Sequence, residues 1–211
     1  MAQNTIRTTA LLPARADLAG PRLRLFEAAL ELFGERGYDA VSVRDLMSAL
    51  GQQPGALYGH VPSKQHLLYE LTCIGHEEQR DRLKDALLDA GREPNDQIRA
   101  LTRAHVAIHL QYPALARVTT REARALSEEQ RMSVLVVRDE SIRMFLDVVE
   151  RGVRLGAFAP EEPLLAVYAV GALGVRAAEW WTPDSPFSAS KVADTYAEYA
   201  VRLLGPATPT E

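Results

Sequence analysis

The run Ser42-Val43-Arg44-Asp45-Leu46-Met47-Ser48-Ala49-Leu50-Gly51-Gln52-Gln53-Pro54-Gly55-Ala56-Leu57-Tyr58-Gly59-His60-Val61-Pro62-Ser63-Lys64 decides the fold. It opens on a capping-box pattern, in which the Ser42 hydroxyl and the Asp45 carboxylate satisfy backbone N–H groups that have no partner inside a helix. Val43, Leu46, Met47 and Leu50 share one face at helical spacing, and Gly51 ends that helix. Gln52 and Gln53 introduce a second element, Pro54 to His60, about two turns long and stopped by Gly59 to Pro62. Ser63 then caps a much longer helix through Leu67, Leu68, Leu71, Ile74, Leu83 and Leu87, terminated at Gly91. Two short helices around a glycine turn have the layout of a helix-turn-helix.

That layout carries a specific chemistry. The first helix packs its apolar face on the core, and the second must present flat, polar side chains to a major groove about 12 Å wide. Gln52 and Gln53 suit hydrogen bonds to base edges, adenine above all, while Gly55, Ala56 and Gly59 are small enough for close approach. Tyr58, His60 and Lys64 supply phosphate donors, joined by the N-terminal N–H groups of the helix that begins at Ser63.

Outward from this run the chain reads as helix throughout. Residues 1–20 lack a period and carry Pro13, Gly20 and scattered arginines, the pattern of a flexible arm. From Pro21 the residues Leu23, Phe26, Leu30 and Phe33 recur at helical spacing up to a stop at Gly37. Beyond Gly91, breaks fall at Pro94, Tyr112-Pro113, Ser127, Gly156 to Pro163 and Thr182 to Phe187, and Ser127 to Gln130 is a second capping box. The expectation is an all-α chain of about nine helices. It divides into an arm (1–20), a helix-turn-helix domain (21–66), an effector-binding and dimerisation domain (67–205) and a tail (206–211).

Composition narrows the class. A single cysteine, Cys73, excludes an internal disulfide framework, and no export signal or membrane-length apolar run is visible, so a cytoplasmic location is expected. The net charge of −4 is unevenly spread: residues 1–66 carry seven bases against six acids, and the acidic excess lies behind them. A DNA-contacting head on an acidic body has this asymmetry.

At these residues the sequence resembles the TetR (tetracycline-repressor) family. The resemblance runs from about residue 22 to 71 and rests on Leu30-Glu31-Leu32-Phe33, Gly37-Tyr38, the Ser42 cap and Gly51…Leu57-Tyr58-Gly59-His60-Val61-Pro62-Ser63-Lys64. It implies phosphate contacts by Tyr58 and Lys64, a phosphate touch by Ser42, and a base or phosphate contact by Arg44. Gln52 and Gln53-Pro54-Gly55-Ala56 depart from the family's usual residues, so the operator cannot be borrowed from relatives. The resemblance further implies a homodimer formed through the last two long helices, with small residues Gly171, Gly174 and Ala178 on one and Tyr196, Ala200 and Leu203 on the other. Two-fold proteins of this kind read half-sites about 34 Å apart.

A second resemblance spans residues 113–205: Tyr112-Pro113-Ala114-Leu115, Arg121-Glu122-Ala123-Arg124, Glu150-Arg151-Gly152…Gly156-Ala157-Phe158 and Trp180-Trp181-Thr182-Pro183. These look like effector domains of regulators of fatty-acid, acyl-CoA and steroid degradation, with Ser185 and Phe187 standing where a glycine and a leucine are usual. They imply a hydrophobic small-molecule effector, an acyl-CoA thioester among the candidates, in a pocket lined by His105, His109, Arg121, Phe145, Val149 and Trp180. Operator DNA and the effector are the expected partners, with repression released by a population shift. No cofactor is expected. A zinc site from Cys73, His76, His105 and His109 is the competing use of those residues, although no closely spaced thiolate pair supports it. An enzyme built on Cys73 or a histidine lacks any nucleophile-base-orienter string. A ligand-independent DNA-binding activator or architectural protein is the remaining alternative.

Overall fold

The computed structural model describes residues 10–205. Residues 1–9 of the expected arm and the tail 206–211 lie outside the described residues. Eight α-helices follow one another: α1 (Gly20–Arg36), α2 (Val43–Ala49), α3 (Lys64–Asp89), α4 (Pro94–Gln111), α5 (Pro113–Arg121), α6 (Glu128–Arg154), α7 (Pro163–Trp180) and α8 (Ala189–Leu204). Two 3-10 helices, Pro54–Gly59 and Ala123–Ala125, lie between α2 and α3 and between α5 and α6. The described residues form no strand, only one isolated bridge between Arg15 and Leu18.

The helix boundaries follow from local chemistry. Ser42 and Ser127 both make complete capping boxes, with Asp45 and Gln130 returning the second bond. Ser63 and Ser188 cap α3 and α8 through their hydroxyls. Proline sits in the first turn of α1, α4, α5 and α7, where its missing N–H leaves no bond unmade. The turn after α2 is closed by Gly51 at φ 67°, whose N–H donates to the Ser48 carbonyl while Gln52 N–H donates to that of Met47. This two-bond closure needs a residue in the left-handed region, which glycine enters without steric penalty.

One hydrophobic cluster joins the head to the body. Leu25, Phe26, Leu30 and Phe33 of α1, Leu46 and Met47 of α2, and Leu57 pack with Leu67, Leu68 and Leu71 of α3. The same cluster continues through Ile108, Tyr112, Leu115 and Val118 to Leu126 and Val134. Leu12 and Leu18 are buried in it, and Arg15 pairs with Glu77 of α3 at 2.7 Å. Residues 10–19, read from sequence as part of a flexible arm, are therefore packed in the structure, through the buried Leu12 and Leu18 and the Arg15–Glu77 pair.

The rest of the body is organised around α4, which touches α3, α5, α6, α7 and α8. A second cluster links Leu83, Ile98, Leu101, Phe145, Val148, Val149, Phe158, Ala200 and Leu204. A third places Val106, Leu110, Ala177, Trp181, Val192 and Ala193 together. At the C-terminus of α6, Gly156 at φ 70° turns the chain so that Ala157 N–H donates to the Gly152 carbonyl, and Phe158 folds back over Gly152 itself. Ala159 N–H then donates to the carbonyl of Leu204, tying this turn to the end of α8.

Candidate functional site

The helix-turn-helix is built as the sequence indicated, with one refinement. The second element is a 3-10 helix, Pro54–Gly59, entered through Gln53, whose carbonyl accepts from Ala56 N–H. Leu57 is its anchor, fully buried, and this holds the opposite side outward. Gln52, Gln53, Gly55 and Tyr58 are exposed, Tyr58 to 64%, while Ala56 and His60 are half-buried. Arg44 is exposed on α2, and Arg24 and Arg36 are exposed on α1. These three cations have no ion-pair partner among the described residues.

Two other cations of the head are committed internally. Arg22 donates to the carbonyl of His60 at 2.6 Å, pairs with Glu70 and covers the Phe26 ring. Lys64, expected from sequence as a phosphate contact, directs its ammonium to the carbonyls of Tyr38 at 2.9 Å and Val41 at 2.7 Å, 3.8 Å above the Tyr38 ring. Burial pushes its pKa down from the ordinary lysine value. Its placement makes it a clamp on the α1–α2 loop, with at most one of three N–H bonds left for a phosphate. Ser42 is similarly engaged: its hydroxyl accepts from Asp45 N–H and contacts the Asp45 carboxylate at 2.5 Å. Lys64→Met keeps the stem but leaves two carbonyls without their donor, so denaturant unfolding should show a loss of about 1–3 kcal/mol. An unchanged unfolding midpoint would mean that the clamp contributes nothing.

Behind the head, α3 to α7 enclose a cavity of about 630 Å³. Its walls are His76 and Gln79 from α3, His105 and His109 from α4, Leu115 and Thr119 from α5, Val134, Arg138 and Phe145 from α6, and Tyr168 and Gly171 from α7. Burial lowers the pKa of all three histidines, to about 4 for His76 and about 3 for His109, so the imidazoles are neutral near pH 7. Arg131 and Arg138, two turns apart on α6, also line the cavity; both are exposed and have no ion-pair partner among the described residues. The cavity is thus apolar with a neutral imidazole wall and a cationic edge.

Of the pocket residues expected from sequence, His105, His109 and Phe145 line the cavity. Arg121 does not; it pairs with Glu179 of α7 on the outside. Val149 lies in the second hydrophobic cluster, and Trp180, half-exposed at the end of α7, is not part of the wall. Arg131, Arg138 and Tyr168 were missed. The signal for them was present: Arg131, Val134, Leu135, Arg138, Ser141, Ile142 and Phe145 recur at spacings of three and four, placing two arginines on an otherwise inward face.

The residues expected at a dimer interface also divide. Gly174 packs against its own chain, where an added Cβ would lie 2.5 Å from the His105 ring. Ala178 and Ala200 are buried within the chain, and Gly171 lends its carbonyl to His105. Gly174 and Ala200 thus serve the packing of α7 and α8 on α4, whereas an added Cβ at Gly171 would meet nothing within 4 Å. Leu203 is exposed and Tyr196 half-buried. The exposed large apolar residues of these helices are Leu164, Leu165, Tyr168 and Trp180 on α7 and Tyr199 and Leu203 on α8.

Among the described residues no three of His, Cys, Asp and Glu are grouped to hold a metal ion. Burial raises the Cys73 thiol pKa, which disfavours the nucleophilic thiolate. No helix among the described residues is long and apolar enough to cross a membrane.

Comparison with known proteins matches residues 25–71 to "Bacterial regulatory proteins, tetR family" and residues 91–204 to "Tetracyclin repressor-like, C-terminal domain". The HTH-type transcriptional repressor KstR2 of Mycobacterium tuberculosis is 28% identical over 177 residues, covering 83% of this chain and 88% of the relative. The crystal structure of PfmR, a TetR-family transcriptional regulator from Thermus thermophilus, superposes with a TM-score of 0.77 at 31% identity, over 85% of this chain and 97% of that one. AibR in complex with isovaleryl coenzyme A and operator DNA shares the fold, with a TM-score of 0.75 at 18% identity over 83% of this chain and 95% of that one.

Proposed function

We propose that this chain, which belongs to the tetR family of bacterial regulatory proteins, is a repressor that grips a palindromic operator as a homodimer and is released by a hydrophobic, anionic small molecule of the acyl-CoA type. The observation that carries this reading is the shared wall between cavity and head. Ile108, Tyr112, Leu115, Leu126 and Val134 line the cavity and also belong to the cluster that holds α1, α2 and Leu57. A ligand that moves them changes the support of the reading helix. Gln65, beside Lys64 at the start of α3, adds a polar link by donating to the Ala125 carbonyl at 2.9 Å, in the 3-10 helix whose Ala123 also lines the cavity.

The effector class follows from the walls. An apolar chain suits Leu115, Ile142, Phe145 and Val167, and phosphates or a carboxylate suit Arg131 and Arg138. The fold neighbour that carries isovaleryl coenzyme A is consistent with that chemistry. For dimerisation, Leu164, Leu165, Tyr168, Tyr199 and Leu203 supply exposed apolar side chains on the two helices whose Gly174 and Ala200 are already used internally.

Fluorescence anisotropy with DNA from the regions flanking the gene, in the presence of an acyl-CoA panel, tests the whole reading. Effector addition should weaken binding at least about tenfold, equivalent to about 1.4 kcal/mol of coupling. Operator affinity indifferent to every acyl-CoA would overturn the effector class, and no site-specific binding at all would overturn the repressor. Within the same assay, Gln53→Ala should relax discrimination at one base pair by about 1–3 kcal/mol. Tyr58→Phe should instead weaken all sequences evenly, as a phosphate contact does. Equal loss by both variants on every sequence would remove Gln53 from base reading.

A further inference from the structure

His105 and His109 form a matched pair whose protonation is set by the backbone. His105 Nε2 lies 2.8 Å from the Gly171 carbonyl oxygen, and His109 Nδ1 lies 2.8 Å from the carbonyl oxygen of His105. A carbonyl only accepts, so each of these nitrogens carries the N–H. A neutral imidazole has a single N–H, and therefore His105 Nδ1 and His109 Nε2 are both bare lone pairs. His105 Nδ1 is buried, without solvent contact and without a hydrogen-bond partner, whereas His109 Nε2 receives no donor from the described residues and is the acceptor of the pair left open at the cavity wall. The rings are 4.4 Å apart and both line the cavity, with Phe145 edge-on to His105.

From this we infer that the effector brings a hydrogen-bond donor, an alcohol hydroxyl on its hydrophobic part, to the His105–His109 wall. The inference rests on the reading of the cavity as the effector site and specifies what that site selects. A thioester, ketone or carboxylate offers only lone pairs, which repel the two bare nitrogens. A hydroxyl supplies a donor to His109 Nε2, whereas a ligand that covers this nitrogen without a donor leaves it unpaired, which is unfavourable by about 1–3 kcal/mol. Sites arranged to bond a ligand hydroxyl discriminate strongly against the analogue without it. Thr102, one turn before His105 on α4, has a buried hydroxyl that is also without a partner. Thr102→Val therefore accompanies the histidine variant below as a control for an internal donor.

The first measurement needs no ligand: the long-range proton–nitrogen spectrum of histidine-labelled protein. His105 should appear protonated at Nε2 and His109 at Nδ1; an imidazolium or the opposite tautomers near neutral pH would overturn the inference. Calorimetric titration then compares matched acyl-CoA probes from octanoyl to dodecanoyl, ending in a hydroxyl, a methyl or a methyl ketone. At the fitting length the hydroxyl-ended probe should bind about tenfold more tightly than the other two. His109→Leu should reduce that preference to less than about twofold while the methyl-ended probe still binds, and Thr102→Val should leave the preference intact. Equal affinity for the three ends at every length overturns the inference and leaves the effector cavity standing. Failure of every probe to bind overturns the acyl-CoA cavity reading, and the inference falls with it. A preference lost in Thr102→Val assigns the donor network to the protein and likewise overturns it.

Discussion

Gly152→Ala is expected to destabilise the protein by about 3 kcal/mol, the upper range for overpacking a core. An added Cβ at this position would sit 2.0 Å from Cδ2 and 2.4 Å from Cε2 of Phe158. The ring cannot swing aside, because Phe158 is 2% exposed and lies in the cluster with Val148, Val149 and Leu204. Backbone relief is blocked as well, since the Gly152 carbonyl accepts from Ala157 and Phe158, and Ala159 is bonded to Leu204 at the end of α8. Alanine's better helix propensity returns only about 1 kcal/mol. For a chain of this length the melting temperature should fall by roughly 6–12 °C. The added Phe158→Ala change gives a double-mutant cycle: the methyl at 152 should become neutral or favourable once the ring is gone. A single variant that melts with the parent, or strictly additive losses, would show that Phe158 does not press on this glycine.

The same turn shows what is legible in the sequence and what is not. Capping boxes at Ser42 and Ser127, glycine stops at Gly37, Gly51 and Gly156, and proline starts are local rules, and the structure obeys them residue by residue. The exposure of Gln52, Gln53, Gly55 and Tyr58 was legible for the same reason, because Leu57 is the one large aliphatic residue between Gln52 and His60 and its burial turns the others outward. Long-range pairing was not legible. Helical spacing says that Gly171, Gly174 and Ala178 permit close approach, but not what approaches; for Gly174 the answer is the His105–His109 pair, and the seat of Phe158 on Gly152 had no spacing signal at all. Charge was ambiguous in the same way. Lys64 and Arg22 serve backbone carbonyls, whereas Arg131 and Arg138, which look like surface residues of α6, edge the cavity. A side chain's type fixes what it can bond, and only the fold fixes whether the protein or a partner supplies the other half.

Stability should fall steeply as the pH drops below the ordinary histidine range. Burial holds the pKa of His76 at about 4, with Arg138 adding to the effect, and that of His109 at about 3, with neighbouring His105 and His76 charge opposing protonation. In the unfolded chain both revert to about 6.5. Between these limits the unfolded state binds protons that the folded state refuses, so stability rises with pH there and is lost on acidification from about 6.5 downward. At pH 5 each histidine contributes a loss of about 2 kcal/mol, together about 4 kcal/mol, and His105, shifted in the same direction, adds to it. The melting temperature should therefore fall by roughly 8–16 °C between about pH 7 and pH 5. The double variant His76→Gln/His109→Gln should flatten that dependence, since glutamine has no proton to gain. Carboxylates held low by their partners, Asp45 by Ser42 and Asp17 by Arg15, respond only below the ordinary aspartate value and leave this window clean. Melts that superimpose across the window would show that the imidazoles take up protons in place, and an unchanged slope in the double variant would assign it to other groups. The protonation that unfolds the chain also removes the bare nitrogens, so selection for a hydroxyl is confined to the pH range in which the fold holds its histidines neutral.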